Sequence, residues 1–233
     1  IIAMNTGRNI LIIDDDPYIA NLLLEILNDE GFNGTVCTDA REALKVFRAA
    51  TYDLILLDVM MPYIDGYELC RQIRTLSNLP IVFLSAKDSC IDKVTGLTIG
   101  ADDYITKPFE PYEVTARVKA QLRRTSWCQE SPNKSLAFED ISLHPQRHEC
   151  MLNNIPLELT PTEFDILQIL MEEPDVPHSV QEIFETIWNE EYDESGGKTV
   201  MVHIRRLRKK LNDANSSHPY ITTIWGVGYK MRS

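Results

Sequence analysis

The stretch ILIIDDDP, from Ile10 to Pro17, decides how this chain reads. Four apolar residues run without interruption and end on Asp14-Asp15-Asp16. So short an apolar run, set among helical stretches, reads as a strand of a parallel sheet, buried on both faces. Leu54-Ile55-Leu56-Leu57 repeats the pattern and ends on Asp58. Asp103-Tyr104-Ile105-Thr106 leads in the same way into Lys107-Pro108. The carboxyl ends of parallel strands share one edge of the sheet, and ligands bind there. The three loops therefore converge and gather carboxylates around one lysine. Carboxylates that close repel unless a cation lies among them. Hard oxygen donors without Cys or His partners suit Mg²⁺.

Working outward, apolar runs at 10–13, 54–57 and 81–84 are joined by weaker strands near Thr35-Val36-Cys37 and Tyr104-Ile105. Helical patterns lie between them, at Tyr18–Asp29, Ala40–Ala50, Gly66–Thr75, Cys90–Ile99 and Pro111–Arg124. This is an α/β, doubly wound (βα)₅ pattern with right-handed crossovers over residues 9–124. Thr125–Ser135 is polar and patternless and reads as a linker. Beyond it, residues 136–233 change character. Strand-like pieces at Leu136–Leu143, Glu149–Leu152 and Ile155–Leu159 precede Thr160-Pro161-Thr162-Glu163, which has the form of a capping box. Helices are expected at Pro161–Glu172, about Ser179–Asn189 and about Lys198–Leu211. A hairpin then follows, Tyr220–Ile224 turning through Gly226 and Gly228 into Tyr229-Lys230-Met231. Three helices and a terminal hairpin suggest a winged helix-turn-helix.

The chain has 233 residues, 44% hydrophobic and 25% charged, an ordinary composition for one large or two smaller domains. No apolar run approaches the roughly 20 residues of a membrane span, and no secretory signal appears. Met4 reads as the natural start, which leaves Ile1-Ile2-Ala3 as added residues. Five scattered cysteines (Cys37, Cys70, Cys90, Cys128, Cys150) without a CxxC pair read as free thiols of a reducing cytoplasm. A net charge of −12 argues against a wholly basic nucleic-acid binder, but the average hides a cluster. Residues 125–233 hold 10 Lys/Arg against 17 Asp/Glu, and six of those ten lie within Lys198–Lys210. A basic stripe on an acidic domain can still grip phosphates.

A carboxylate at the position of Asp58 can attack phosphorus and become an acyl phosphate. That reaction needs charge neutralisation more than proton transfer, which a divalent cation and a lysine supply. The motifs ILIIDDDP, LILLDVMMPYIDGYE, IVFLSAKD and GADDYITKPF together resemble the receiver domain of bacterial response regulators, in order and spacing. The resemblance implies Asp58 as phosphoacceptor. It implies Mg²⁺ held directly by Asp15, through water by Asp14, and by the Met60 carbonyl. It places Lys107 on the phosphoryl group, and makes Ser85 and Tyr104 the switch pair, with the aromatic swinging inward. Resemblance to the winged-helix subfamily of these regulators implies a phosphorylation-dependent homodimer, with Lys93–Glu113, Asp102–Lys119 and Asp103–Arg117 paired across a two-fold. Exposed ion pairs contribute only about 0–1 kcal/mol each, so these would set specificity and an apolar core would supply affinity.

On the basic helix, turning 100° per residue puts Val200, Ile204, Leu207 and Leu211 on the core stripe. Thr199, Val202, His203, Arg206 and Lys210 share a second face, which offers a guanidinium for base edges and a methyl-bearing surface for thymine. His203, with no second ligand at helical spacing, reads as a phosphate donor rather than a metal ligand. Lys198, Arg205, Arg208 and Lys209 share a third, expected to neutralise phosphates. LTPTEFDILQIL, KTVMVHIRRLRKKL and YITTIWGVGYK resemble the effector domain of the OmpR/PhoB family, and several motifs, among them IWGVGYK, resemble its VanR group of vancomycin-resistance regulators. The resemblance implies a sensor histidine kinase, double-stranded promoter DNA and RNA polymerase as partners. Two departures stand out. Trp225 occupies a wing position where many members carry Arg, and Glu173–His178 replaces a Gly-containing turn. Two other classes compete. One is a hydrolase with an aspartate nucleophile, suggested by the D-x-D of Asp14 and Asp16, though Tyr18 does not fit that motif. The other is a receiver joined to a pure protein-docking module.

Overall fold

The computed structural model describes residues 7–86, 90–126, 135–192, 194–214 and 219–232; the side chains of 90–94, 124–126, 194–195 and 213–214 are not described. The chain divides into two compact units, Ile1–Leu122 and Arg123–Ser233.

The first unit alternates β1 (Asn9–Ile13), α1 (Pro17–Asp29), β2 (Asn33–Cys37), α2 (Ala43–Ala49), β3 (Leu54–Asp58), α3 (Gly66–Arg74), β4 (Ile81–Ser85), α4 (Cys90–Ile99), β5 (Asp103–Thr106) and α5 (Pro111–Ser126). The strands form one parallel sheet in the order β2-β1-β3-β4-β5. Every residue of β3 and β4 is buried, as expected of strands covered on both faces. One apolar layer joins Ile10, Ile12, Leu54, Leu56, Val82 and Leu84 of the sheet to Leu23 and Leu27 of α1 and Val114 and Val118 of α5. Burying each such side chain contributes about 1.5–3 kcal/mol. The strand order reverses direction between β1 and β3, so the switch point of the sheet lies between the ends that carry Asp14 and Asp58.

The expected helix at Ala40 begins three residues late, at Ala43. Asp39 accepts hydrogen bonds from the Arg41 N–H (2.9 Å) and from its guanidinium, and such local bonds hold a backbone out of the helix. Asp16, by contrast, caps α1: its carboxylate accepts the Tyr18 N–H at 2.8 Å, with Pro17 next.

The second unit opens with an antiparallel sheet of β6 (Leu136–Phe138), β7 (Ile141–His144), β8 (Glu149–Leu152) and β9 (Ile155–Pro156). The single strand expected over Leu136–Leu143 is a hairpin, because Glu139 turns the chain with φ 49. Next come α6 (Pro161–Glu172), β10 (His178–Ser179), α7 (Val180–Trp188), α8 (Glu194–Ala214), β11 (Ile221–Ile224) and β12 (Gly228–Met231). The last two strands form the expected wing, and the two-residue β10, too short to leave a sequence pattern, joins it on β12. The core packs Phe164, Leu167 and Leu170 of α6, Ile183 and Ile187 of α7, and Val200, Ile204, Leu207 and Leu211 of α8. This is a winged helix-turn-helix, and no described helix is long and apolar enough to cross a membrane.

The acidic strand edge and the basic helix

The sheet brings Asp14, Asp58 and Lys107 to one edge from the ends of β1, β3 and β5. Oxygen atoms of Asp14, Asp15 and Asp58 all lie within 4.8 Å of one another. The Lys107 ammonium is 2.7 Å from Asp14 Oδ2 and 3.2 Å from Asp58 Oδ1. Three carboxylates against one ammonium leave two negative charges in excess. At this spacing each like-charged pair repels by about 3–4 kcal/mol at an effective dielectric of ~20. Burial pushes the Asp58 carboxyl above the usual carboxylate value. Lys107 draws it down, Asp14 pushes it up, and a hydrogen bond from the Met60 backbone stabilises the anion. The donors are all hard oxygens, so the residues present fit Mg²⁺. Asp16 is not part of the group. Its side chain is spent on the cap of α1, which leaves the D-x-D reading without its second acid.

Two further features shape this edge. Ser85 ends β4, is fully buried, and its carbonyl accepts the Lys107 N–H at 2.7 Å. Tyr104 pairs with Phe83 across β4 and β5, and its ring is turned inward. Gly66 was not singled out from the sequence. Any side chain there would collide with the Asp58 carbonyl oxygen, so only glycine lets α3 start against the backbone of this aspartate.

The charges expected to pair across a two-fold have partners within their own chain. Arg117 grips both Asp103 oxygens at 3.1 and 3.2 Å and also reaches Glu113. Lys119 bonds to Glu30 at 2.5 Å. Asp102 corrects the expectation of a surface charge. It is fully buried, takes the Arg74 guanidinium at 2.7 Å and the Ile81 N–H at 3.0 Å, and would have to leave Arg74 to meet Lys119. The sequence missed this because a strand-start aspartate looks the same whether it faces a partner or α3. The Lys93 side chain lies outside the described residues, as do residues 127–134 of the linker, with Cys128.

Helix α8 requires a second correction. Its core stripe is as expected, but the face assigned to base reading is largely covered. His203 is fully buried beside Trp188 of α7, Val202 is 6% exposed, and Arg206 lies 3.0 Å from Glu163 of α6 with its side chain 13% exposed. Lys210 also reaches Glu163, at 2.7 Å. Helical periodicity fixes which residues share a face, not which face a neighbouring helix takes, and α6 and α7 take this one. The exposed stripe consists of Lys198, Met201, Arg205, Lys209 and Asn212, with Thr199 at its margin. Arg208, expected on a phosphate, is held by the wing instead. It donates to the Ile221 carbonyl (3.2 Å) and the Thr223 hydroxyl (2.8 Å), and lies over the Tyr229 ring. Gly196 was also missed. A methyl group there would press on the Phe184 ring, so the glycine sets how closely α7 and α8 approach.

Glu163 anchors the arrangement. Fully buried, it closes the capping box on the Thr160 N–H at 2.9 Å and faces both Arg206 and Lys210. Arg206 Nε stands 3.0 Å from Oε1 without the alignment of a hydrogen bond. Burial alone would raise the Glu163 carboxyl, but the two cations outweigh it and hold it below its ordinary value.

A doubly wound unit with a strand-edge carboxylate cluster and lysine, followed by a winged helix with an exposed basic stripe, defines a signal-responsive DNA-binding regulator. Comparison with known proteins agrees. Residues 10–119 match the response regulator receiver domain, and residues 154–231 match the transcriptional regulatory protein C-terminal domain. The chain is 45% identical to the regulatory protein VanR of Enterococcus faecium over 225 residues, 95% of this chain and 97% of that one. It is 38% identical to the DNA-binding response regulator MtrA of Mycolicibacterium smegmatis, covering 97% and 98%. Among solved structures, the response regulator DrrB of Thermotoga maritima, an OmpR/PhoB homolog, matches with a TM-score of 0.51 at 29% identity, covering 99% of this chain and all of that one. The chain belongs to the OmpR/PhoB family of DNA-binding response regulators, and among its relatives it is VanR-like.

Proposed function

We propose that Asp58 accepts a phosphoryl group from a sensor histidine kinase and that the phosphorylated chain forms a dimer that binds promoter DNA. The observation that carries this reading is the cluster of Asp14, Asp15 and Asp58 with Lys107 in contact with two of them. An Asp58 carboxylate oxygen attacks phosphorus, the bond from phosphorus to the donor nitrogen breaks, and the leaving imidazole takes up a proton. Asp14, Asp15 and Asp58, with the Met60 carbonyl that family resemblance adds, would hold Mg²⁺, which when bound neutralises phosphoryl oxygens. Lys107 is in place to move from Asp14 to a new phosphoryl oxygen, because its ammonium already spans both aspartates. Ser85 then donates its hydroxyl to the phosphoryl group, and the inward ring of Tyr104 fills the space behind it.

Phosphorylation adds about −1.5 to −2 charges, and the α4–β5–α5 face carries the response. Asp103, Glu113, Arg117 and Lys119 exchange their in-chain partners for those of a second protomer. Lys198, Thr199, Arg205 and Lys209 of α8 face DNA, RNA polymerase is the downstream partner, and the compartment is the cytoplasm. Sedimentation of the full chain with a small phosphodonor and Mg²⁺ tests the coupling. A monomer-to-dimer shift is expected, absent in Asp58→Ala and suppressed in Asp103→Arg. A shift that survives in Asp103→Arg would place the interface elsewhere.

A further inference from the structure

The wing carries a feature that the basic helix does not account for. Trp225 stands at the turn between β11 and β12 with 91% of its surface exposed, beside Val227 at 51%. Gly226 makes the turn with φ 76, a conformation that side chains rarely adopt. An indole left in water forfeits the burial that makes tryptophan worth carrying. Its surroundings indicate the partner. Residues 219–232 contain no Asp or Glu and carry Lys230 and Arg232, in a chain of net charge −12. The hairpin is also fixed to the exposed basic helix, because Arg208 of α8 bonds to the Ile221 carbonyl and the Thr223 hydroxyl and lies over Tyr229. The strands that carry the tip are therefore fixed against the part of α8 that also bears Arg205 and Lys209.

From this continuity we infer that Trp225 is an apolar wedge that enters the minor groove flanking the site read by α8 and partly unstacks one base step. An arginine in a wing is drawn to a narrow groove by charge. An indole carries no charge and gains only where bases part. Pyrimidine–purine steps part most easily, and apolar wedges at such steps bend the duplex toward the major groove. The wing of this chain should thus read deformability rather than groove potential. The inference rests on α8 facing DNA, and the test separates the two.

The probe is a duplex recovered from a randomised pool by the full chain, with 2-aminopurine placed in turn at each flanking step. Wild type should brighten 2-aminopurine at one pyrimidine–purine flank, and W225A should not. W225A should bind about tenfold more weakly, in line with loss of a base–aromatic stack. W225R should recover affinity at low salt without the fluorescence change, with a salt slope steeper by about 0.9. The substituted side chain is 91% exposed, and circular dichroism checks that the fold is intact. If W225A matches wild type in affinity and in fluorescence at every flank while Arg205→Ala weakens binding, the wedge is wrong and the α8 reading stands. If Arg205→Ala also leaves binding unchanged, the α8 reading fails first.

Discussion

Replacing Glu163 by Gln should loosen the whole helix-turn-helix, although residue 163 is buried and is not itself part of the exposed basic stripe. The amide keeps the shape and the bond to the Thr160 N–H. What it removes is the negative charge that Arg206 and Lys210 share at 3.0 and 2.7 Å. Taking one partner from a buried ion pair costs about 3–5 kcal/mol, because the other charge stays behind. Lys210 is 32% exposed and can swing into water, whereas Arg206, at 13%, cannot. The cost therefore falls near the lower end, about 3 kcal/mol, or about 10 °C or more in Tm for a unit of this size. Tryptophan fluorescence isolates the effect in the full chain, since residues 1–122 contain no Trp and Trp188 is buried. The variant's urea midpoint should drop accordingly. The pH dependence supplies a second signature. Glu163 has a depressed folded value, so its contribution is present above the unfolded value of 4.5 and is lost as pH falls through the folded one. Wild type should lose its advantage over Glu163→Gln on acidification. A difference below about 1 kcal/mol at neutral pH would refute the view that this carboxylate locks α6 to α8.

Asp58→Asn should raise the melting temperature of the metal-free protein at neutral pH. The folded value of Asp58 is raised by burial, so its ionised form penalises the fold, and the gain should shrink as pH falls through that value toward 3.8. Melting scans in chelator across pH check this, and a lower melting temperature at pH 7 would count against it. On DNA, Arg205→Ala and Lys209→Ala should each weaken binding about equally on all sequences and make the salt slope shallower by roughly one. His203→Ala should instead cost about 2–3 kcal/mol of fold stability, as truncation of a buried ring does, and leave the sequence preference of the folded fraction intact. Isotherms at several salt concentrations, beside urea titrations, distinguish these outcomes, and a change of base preference in His203→Ala would show that α8 sits at another rotation.

The first unit was legible because its information is local. Ile10–Ile13, Leu54–Leu57 and Ile81–Leu84 can only be buried strands, and a parallel sheet then forces Asp14, Asp58 and Lys107 to one edge. Asp16-Pro17 announced its cap for the same reason, and Thr160–Glu163 its box. Long-range pairing left no such trace. Nothing within a few residues of Asp102 points to Arg74, 28 positions away, and nothing beside Glu163 points to Arg206 and Lys210. The rotation of α8 was misread on that account. Its Arg, His and Val residues suit DNA equally well on either polar face, and only Trp188 and Glu163 decide which face is covered. Gly66 and Gly196 went unremarked because the need for glycine lies in the backbone or ring it meets, not in the sequence around it.

On the proposed function, the carboxylate cluster serves the transfer of a phosphoryl group from a donor to Asp58. Intact-mass analysis of the full chain, incubated with a small phosphodonor and Mg²⁺, tests it most directly. One added phosphoryl group is expected on wild type, none when the metal is chelated, and none on Asp58→Ala. Equal labelling of Asp58→Ala and wild type would contradict the assignment.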